Sequence, residues 1–540
     1  MNVLGVHSGF TMGQHDPAAA LICDGKLVAA CEEERFVRVK SARGCLPIES
    51  IRACLRQAGL TLSDVDLIVH PGESFEDMPI RLKSYLDHYF GCSPRIRMIN
   101  HQLAHLASAF FCSGFDKAMC LSYDAYGDRL SAALGMASNS GIEILETRGR
   151  ENSLGNFYAS MTSYLGFVVS EDEYKVMGLA AYGEEEVDLS PFVQPTSDGY
   201  LINTEFLPED YLNTNMYEPF YSSKLTKLLG PSRISNEPIT LRHKNIAFAT
   251  QKALELCAVS LIKHLHTRTG LDSLCIAGGI GLNCSANYVI RQLPFIRRFF
   301  VQPASSDRGL ALGCALYGAY ENGFTISELG DVFKGPTYTE EQKRQALELV
   351  GFEYVELPDP AGKAAQLLSE QKIIGWYQGR SEFGPRALGN RSILADPSQA
   401  RMKDEINRRV KFREEFRPFA PSVLEERAKD LFDIPETSPY MTVAYPVRPQ
   451  WANRLQAITH VNGTARVQTV SRNSAPSYHR LISEFQRLTG IPAVLNTSFN
   501  VKGQPIVETP LDALSTFAAT GLDALFIGPF MVAKPNVPRQ

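Results

Sequence analysis

The sequence predicts an α/β protein of at least two domains, and three observations carry that expectation. At 540 residues the chain is too long for one compact core. Its composition, 44% hydrophobic and 21% charged, is that of a globular protein. Short apolar strand-like runs alternate with segments of helical periodicity along the first 290 residues.

Taken in order, "NVLGVHS" is a β-rich run. "AAALICDGKLVAACEE" then gives two alternating segments joined by Asp24-Gly25, a hairpin signal. "LPIESIRACLRQAGL" repeats apolar residues at helical spacing and stops at Gly59, and "VDLIVH" is another strand. "AMCLSYDAYGDRLSAALGMA" reads as strand, glycine-containing turn and strand. A long amphipathic helix follows in "AFATQKALELCAVSLIKHLHTRTG", then a buried strand in "LDSLCIAGGIGLNCSAN". "GPSRISNEPIT" reads as an exposed loop. A boundary is expected near 335–358, beyond which "AAQLLSEQKIIGWYQGR" starts a second helix-then-strand unit.

A net charge of −5 argues against a general nucleic-acid binder. No apolar run approaches the roughly 18 residues of a membrane span. "MNVLGVHSGF" lacks the basic start and apolar stretch of a secretory leader, so a cytoplasmic location is expected. Eleven cysteines without a CxxC pair fit free thiols better than disulfides or a zinc ribbon. None falls after Cys314, which also hints that the last part of the chain is a separate unit.

Several stretches carry chemistry. In "NHQLAHLASAF", His101 and His105 stand four residues apart and share one helical face. Such a pair serves equally as two metal ligands or as two structural histidines, and a metal needs further ligands. Asp124 in "SYDAYGD" and Asp307 in "SSDRG" are loop aspartates at predicted strand ends and make such a set permissible. A zincin reading fails because Gln102 stands where that signature needs Glu. The turn at Gly278-Gly279 suits backbone contact with a nucleotide, although glycine pairs also end strands for structural reasons alone. His15 and Asp16 offer either a general base or ordinary turn chemistry before Pro17.

From Lys372 to Arg417 there are eleven Lys/Arg against six Asp/Glu, in a chain whose total is negative. The centre of this stretch, "GRSEFGPRALGNRS", interleaves arginines with Gly and Pro. That favours an anion pocket over a solvated basic face. "LNTSFNVKGQPIVETP" places Asn496, Ser498 and Asn500 after an apolar run, where α/β folds set ligand contacts.

These stretches, with "EYKVMGLAAYG", "SSDRGLALG" and "FREEFRPFAPSV", resemble the NodU/CmcH carbamoyltransferases over nearly the whole chain. The resemblance implies an α/β architecture with an N-terminal actin/Hsp70-like (ASKHA, Kae1-like) duplicated ATPase domain over 1–345 and a C-terminal YrdC-like domain over 358–540. It implies that ATP and carbamoyl phosphate give carbamoyl adenylate, whose carbamoyl group passes to a hydroxyl of a small secondary-metabolite acceptor. By motif, His101, His105, Asp124 and Asp307 are the ligands of a divalent metal, iron(II) first and magnesium as the alternative. His15 is the base, with Lys40 on the path of the carbamoyl group. Arg386, Lys411, Arg417, Arg466, Asn496 and Ser498 form the carbamoyl-phosphate pocket, and Arg386 also counts among the catalytic groups. Gly278, Gly279, Asn283 and Asp307 attend the nucleotide. Tyr126 and Asp128 depart from the Gly-x-Gly-Glu pattern of many relatives, which leaves the shape of that loop open. "EDYLNTNMYEPFYSSK" is a candidate acceptor lining. No nucleic-acid or membrane partner is expected, and a homodimer is the candidate assembly. The alternative reading is a threonylcarbamoyl-type tRNA modification enzyme. A sugar kinase would leave the arginine pocket without a purpose.

Overall fold

Why the two aspartates meet the two histidines follows from how the strands are stacked. A computed structural model describes residues 1–10, 14–208, 219–414 and 416–535. Two compact units form, each assembled from separated stretches. Met1–Gly13, Leu21–Lys26 and Thr61–Leu329 make the first; Gln14–Ala20, Leu27–Leu60 and Gly330–Gln540 make the second. The fold is mixed α/β. Residues 209–218 of the acceptor-lining segment lie outside the described residues.

In the first unit, Asn2–His7, Leu67–Pro71 and Arg95–Ile99 run parallel, with Val3 opposite Leu67 and Leu67 opposite Arg95. A second sheet has the order Arg298–Val301, Ser273–Ala277, Lys117–Gly127, Leu130–Ser138, Gly141–Gly149. Its first three strands are parallel, and the last three form an antiparallel meander. The helix His101–Ser113 covers this sheet, burying Leu106 and Phe110 in a cluster with Ala118, Cys120, Ala133 and Cys275. Asn100 starts the helix by accepting from the Gln102 and Leu103 amides, and Gly114 ends it at φ 68. The helix Leu310–Glu321 packs on the other side of it and against Asn2–His7. Both contacts are backbone-close: a Cβ on Gly313 would lie 1.9 Å from the Ala104 carbonyl oxygen, and one on Gly5 would lie 1.9 Å from that of Ala311.

The turn foreseen at Asp24-Gly25 joins the strands Ala18–Cys23 and Lys26–Glu32, with both turn residues at positive φ. The long helix spans Leu241–Thr269, six residues longer at its start than the apolar periodicity beginning at Ala247. Its polar first turns are held by Thr240 and His243, which exchange capping-box hydrogen bonds. "GPSRISNEPIT" carries no helix or strand, yet its Arg233 is buried. Arg233 donates to the carbonyls of Leu165 (2.7 Å), Ser235 (2.8 Å) and Glu237 (3.0 Å).

The second unit is built on an eight-stranded sheet ordered Val355–Glu356, Phe530–Ala533, Ala524–Ile527, Ile374–Tyr377, Arg391–Ala395, Ala493–Ser498, Ala420–Leu424, Gln468–Val470. The expected helix-then-strand pair is Pro360–Ser369 followed by Ile374–Tyr377. Pro360–Ser369 packs on Pro476–Thr489. Arg391–Ala395 and Ala420–Leu424 both run antiparallel to Ala493–Ser498, with Ser392 opposite Ser498 and Ala420 opposite Asn496. The segments leading into both strands therefore meet the far end of Ala493–Ser498. Among the described residues, no helix is long and apolar enough to cross a membrane.

Because the Ala104 carbonyl fills the space where a side chain at Gly313 would stand, Gly313→Ala must part the two helices. Overpacking of this kind costs about 1–3 kcal/mol. A fall in the thermal midpoint is expected, and an unchanged midpoint would contradict this packing.

Candidate metal centre and anion pocket

His101 opens its helix and His105 follows one turn later, so both imidazoles face the same end of the sheet. Asp124 sits where the Lys117–Gly127 strand loses its regular pairing, between Tyr123 and Gly127. Asp307 begins the short turn after Arg298–Val301. One donor atom from each of the four residues lies within 4.8 Å of all the others. His105 Nε2 is 3.1 Å from Asp124 Oδ2 and 3.8 Å from Asp307 Oδ1; the distances from His101 Nε2 are 3.9 Å and 3.7 Å.

The electrostatics are those of a charge-dense, mostly buried site. Burial works against a charged His105, but Asp124 and Asp307 outweigh it and raise its pKa to about 9. Burial likewise opposes the charge on Asp124, yet the His101 and His105 imidazoles beside it hold its carboxyl well below the usual range. His101 Nε2 is buried and has no hydrogen-bond partner, which is the state of a donor atom reserved for something else. Two imidazole nitrogens and two carboxylate oxygens at these separations fit a borderline divalent cation. His7, which the sequence reading did not single out, brings Nε2 to 3.8 Å from Asp307 Oδ2.

The glycine turn belongs to this neighbourhood. Gly278 has φ 89, and a Cβ there would lie 2.3 Å from the Tyr123 carbonyl oxygen. A Cβ on Gly279 would lie 2.9 Å from Asp124 Oδ1. The turn is thus pressed against an aspartate of the cluster. Asn283 is buried and committed to its own fold: Oδ1 caps the Ala286 amide at 3.0 Å, and its side chain exchanges two hydrogen bonds with Gln251.

In the second unit, the register described above places the Arg386 and Arg417 loops at the end of Ala493–Ser498. Lys411 reaches the same end. Its Nζ donates to the Ser498 carbonyl, to Ser498 Oγ (3.2 Å), and to Asn500 O (3.0 Å) and Oδ1 (2.8 Å). Burial, and then Arg413 and Arg417, push the Lys411 ammonium well below its ordinary pKa. It stands at the end of a π-helical turn, Asn407–Lys411. Gln468 opens the strand parallel to Ala420–Leu424, so Arg466 lies just before this same end of the sheet. Asn496 is buried and braces the Arg386 loop, donating to Ala387 O (3.1 Å), Ser422 Oγ (2.9 Å) and Gln468 Oε1 (3.1 Å). Glu382 tightens that loop by accepting the amides of Leu388 (2.8 Å), Asn390 (2.8 Å) and Arg391 (3.2 Å). His460, half-buried near Arg466 and Lys403, is lowered to about 3 by desolvation and by those two cations. A lone histidine in "AITHVNGTA" gave no signal of this.

His15 and Lys40 are also brought together. The Asp16 amide donates to Ser41 O at 2.7 Å, so the two residues flank one backbone contact. Asp16, Arg38, Ser41 and Ala42 all have positive φ, a concentration of strain that functional loops tolerate. His15 Nδ1 lies 3.5 Å from Asp16 Oδ2. Arg38 fastens this loop to the segment after "LNTSFN", donating to Ile506 O (2.7 Å) and Pro505 O (3.1 Å) and pairing with Asp512 at 3.4 Å. The buried Arg35 donates to Glu32 (2.9 Å) and to Gly384 O (2.6 Å), beside the Arg386 loop. Sequence reasoning missed Glu32, Arg35 and Arg38, because "EEERFVR" looks like any short charged helix.

The chain matches the family profile for the carbamoyltransferase N-terminus over residues 3–90 and 90–316, and that for the carbamoyltransferase C-terminus over 365–534. It is 38% identical to nodulation protein NolNO of Sinorhizobium fredii, over 96% of this chain and 79% of that protein. It is 40% identical to nodulation protein NolO of Bradyrhizobium diazoefficiens, over 81% and 79%. Among solved structures, T. kodakarensis HypF matches 61% of this chain and 48% of its own at 13% identity, with a TM-score of 0.39, too faint a likeness to carry an argument. By both profiles and by relatives along most of its length, the chain belongs to the carbamoyltransferase family and is a transferase.

Proposed function

We propose that the protein is an ATP-dependent O-carbamoyltransferase that works in two stages. Carbamoyl phosphate, ATP and one water give carbamoyl adenylate, phosphate and pyrophosphate. The carbamoyl carbon is then attacked by a hydroxyl of a small-molecule acceptor, and AMP leaves. The observation that carries this reading is the convergence of Lys411 and the Arg386, Arg417 and Arg466 segments on the end of one strand. An acyl phosphate brings about two negative charges, so several aimed cations are what its capture needs. The tRNA-modification alternative is not favoured by the family matches.

In this reading Arg386, Arg417 and Arg466 grip the phosphoryl oxygens, while Asn496 and Glu382 keep the Arg386 loop rigid. Lys411, held by Ser498 and Asn500, adds a buried cation at the strand end. His15 takes the proton from the acceptor hydroxyl, Asp16 orients its ring through Nδ1, and Lys40 steadies the incoming carbonyl. Gly278 and Gly279 offer backbone at close range to the nucleotide. A divalent ion, iron(II) before magnesium, held by His101, His105, Asp124 and Asp307, would supply positive charge for nucleotide phosphates.

Metal-replete protein should release pyrophosphate from ATP only when carbamoyl phosphate is present; no such dependence would end the adenylate reading. The two stages should also separate by mutation. Arg417→Ala is expected to cut pyrophosphate release about 100- to 1,000-fold. His15→Ala should leave release intact and lower transfer of a radiolabelled carbamoyl group to a panel of sugar acceptors about 100- to 10,000-fold. Normal transfer by His15→Ala would remove the base assignment.

A further inference from the structure

The hairpin turn that follows Lys117–Gly127 lies beside the start of the histidine helix and carries a buried carboxylate. Asp128 and Arg129 form the two-residue connection between Gly127 and Leu130, which face each other across the hairpin. Both have positive φ, 51° and 66°. Such a primed turn suits the twist of a hairpin, and aspartate is an ordinary residue at its first position. Asp128 is nonetheless buried, 9% exposed, so its carboxylate needs partners within the fold.

That side chain is fully engaged. Asp128 Oδ1 accepts the Ser74 amide (3.0 Å) and hydroxyl (2.7 Å). Oδ2 accepts the Glu73 amide (3.1 Å) and the amide of His101 (2.7 Å). The His101 amide is one of the first-turn N–H groups that a helix cannot satisfy internally, and a carboxylate there also complements the helix dipole. The neighbouring Gly127 completes the grip, since a Cβ on it would lie 2.2 Å from His101 ring atoms. His101 is thus held by its amide through Asp128 and by its ring against the Gly127 backbone. The same carboxylate ties in the loop that follows the Leu67–Pro71 strand.

We propose that Asp128 is the positioning residue of the metal centre. It touches no metal. It fixes where the His101–Ser113 helix begins, and so sets the placement of His101 Nε2 and His105 Nε2 against Asp124 and Asp307. Four donors converge on two carboxylate oxygens, so the position requires a group with acceptors on both sides. An asparagine there must turn its N–H toward one of the two donor pairs.

This inference rests on the metal-centre reading, and Co2+ binding to the full-length chain separates the two. Asp128→Ala should weaken Co2+ about 10- to 100-fold, the usual effect of removing an outer partner of a metal ligand. It should also change the visible d–d spectrum, which a purely structural role would leave alone. Asp128→Asn should fall between Asp128→Ala and the unmodified protein, and it decides the matter if the alanine variant does not fold. Ser74→Ala, which removes one donor from Oδ1 and leaves Oδ2 on His101, should bind Co2+ within about twofold of the unmodified protein. Unchanged affinity and spectrum in Asp128→Asn would overturn the proposal, and so would a loss in Ser74→Ala as large as in Asp128→Ala. Absence of Co2+ binding by the unmodified protein would instead withdraw the metal-centre reading and this inference together.

Discussion

Two carboxylates and two imidazoles share one small buried space in the first unit, and the packing around them is arranged to keep them there. An unpaired buried carboxylate costs on the order of several kcal/mol. Asp124 and Asp307 meet that cost with His101 and His105, whose nitrogens stand 3.1–3.9 Å from them. Such an arrangement tolerates little slack. Asn100 and Asp128 fix the start of the histidine helix, Gly313 sets how near the next helix comes, and Gly279 leaves room for the Asp124 carboxylate. Each of these small or capping residues serves the same constraint.

The second unit concentrates positive charge at one strand end, where Arg417 also lies 3.6 Å from the Glu414 carboxylate. Lys411 is buried among carbonyl and hydroxyl oxygens at the end of the Ala493–Ser498 strand. Arg413 and Arg417 further disfavour its charged form. The Arg386 loop is fixed by amide and carboxylate contacts from Asn496 and Glu382.

How much of this was legible in the sequence depended on the range of the interaction. Local signals read well. The Asp24-Gly25 turn, the end of the Ile48–Ala58 helix at Gly59 and the His101/His105 spacing each depend on neighbours a few residues away. The meeting of Asp124 and Asp307 joins residues 183 positions apart and required the parallel pairing of Ser273–Ala277 with both Lys117–Gly127 and Arg298–Val301. No periodicity encodes that, and only the family resemblance anticipated it. Residues 27–60 cluster with the chain beyond Gly330 through Arg35, Arg38 and Arg380, whose long side chains reach backbone carbonyls hundreds of residues away. Asp128 was visible only as a departure from a pattern. Its value lies in four donors from two separate segments, Glu73-Ser74 and His101, both distant in sequence.

The central claim is that the four converging side chains form one metal site. Its most direct measurement is anomalous diffraction at the absorption edge of the bound metal, on crystals of the full-length protein grown with iron(II) or Co2+. One ion within bonding distance of His101 Nε2, His105 Nε2 and carboxylate oxygens of Asp124 and Asp307 is the predicted result. An ion bound elsewhere, or none at saturating metal, would contradict it.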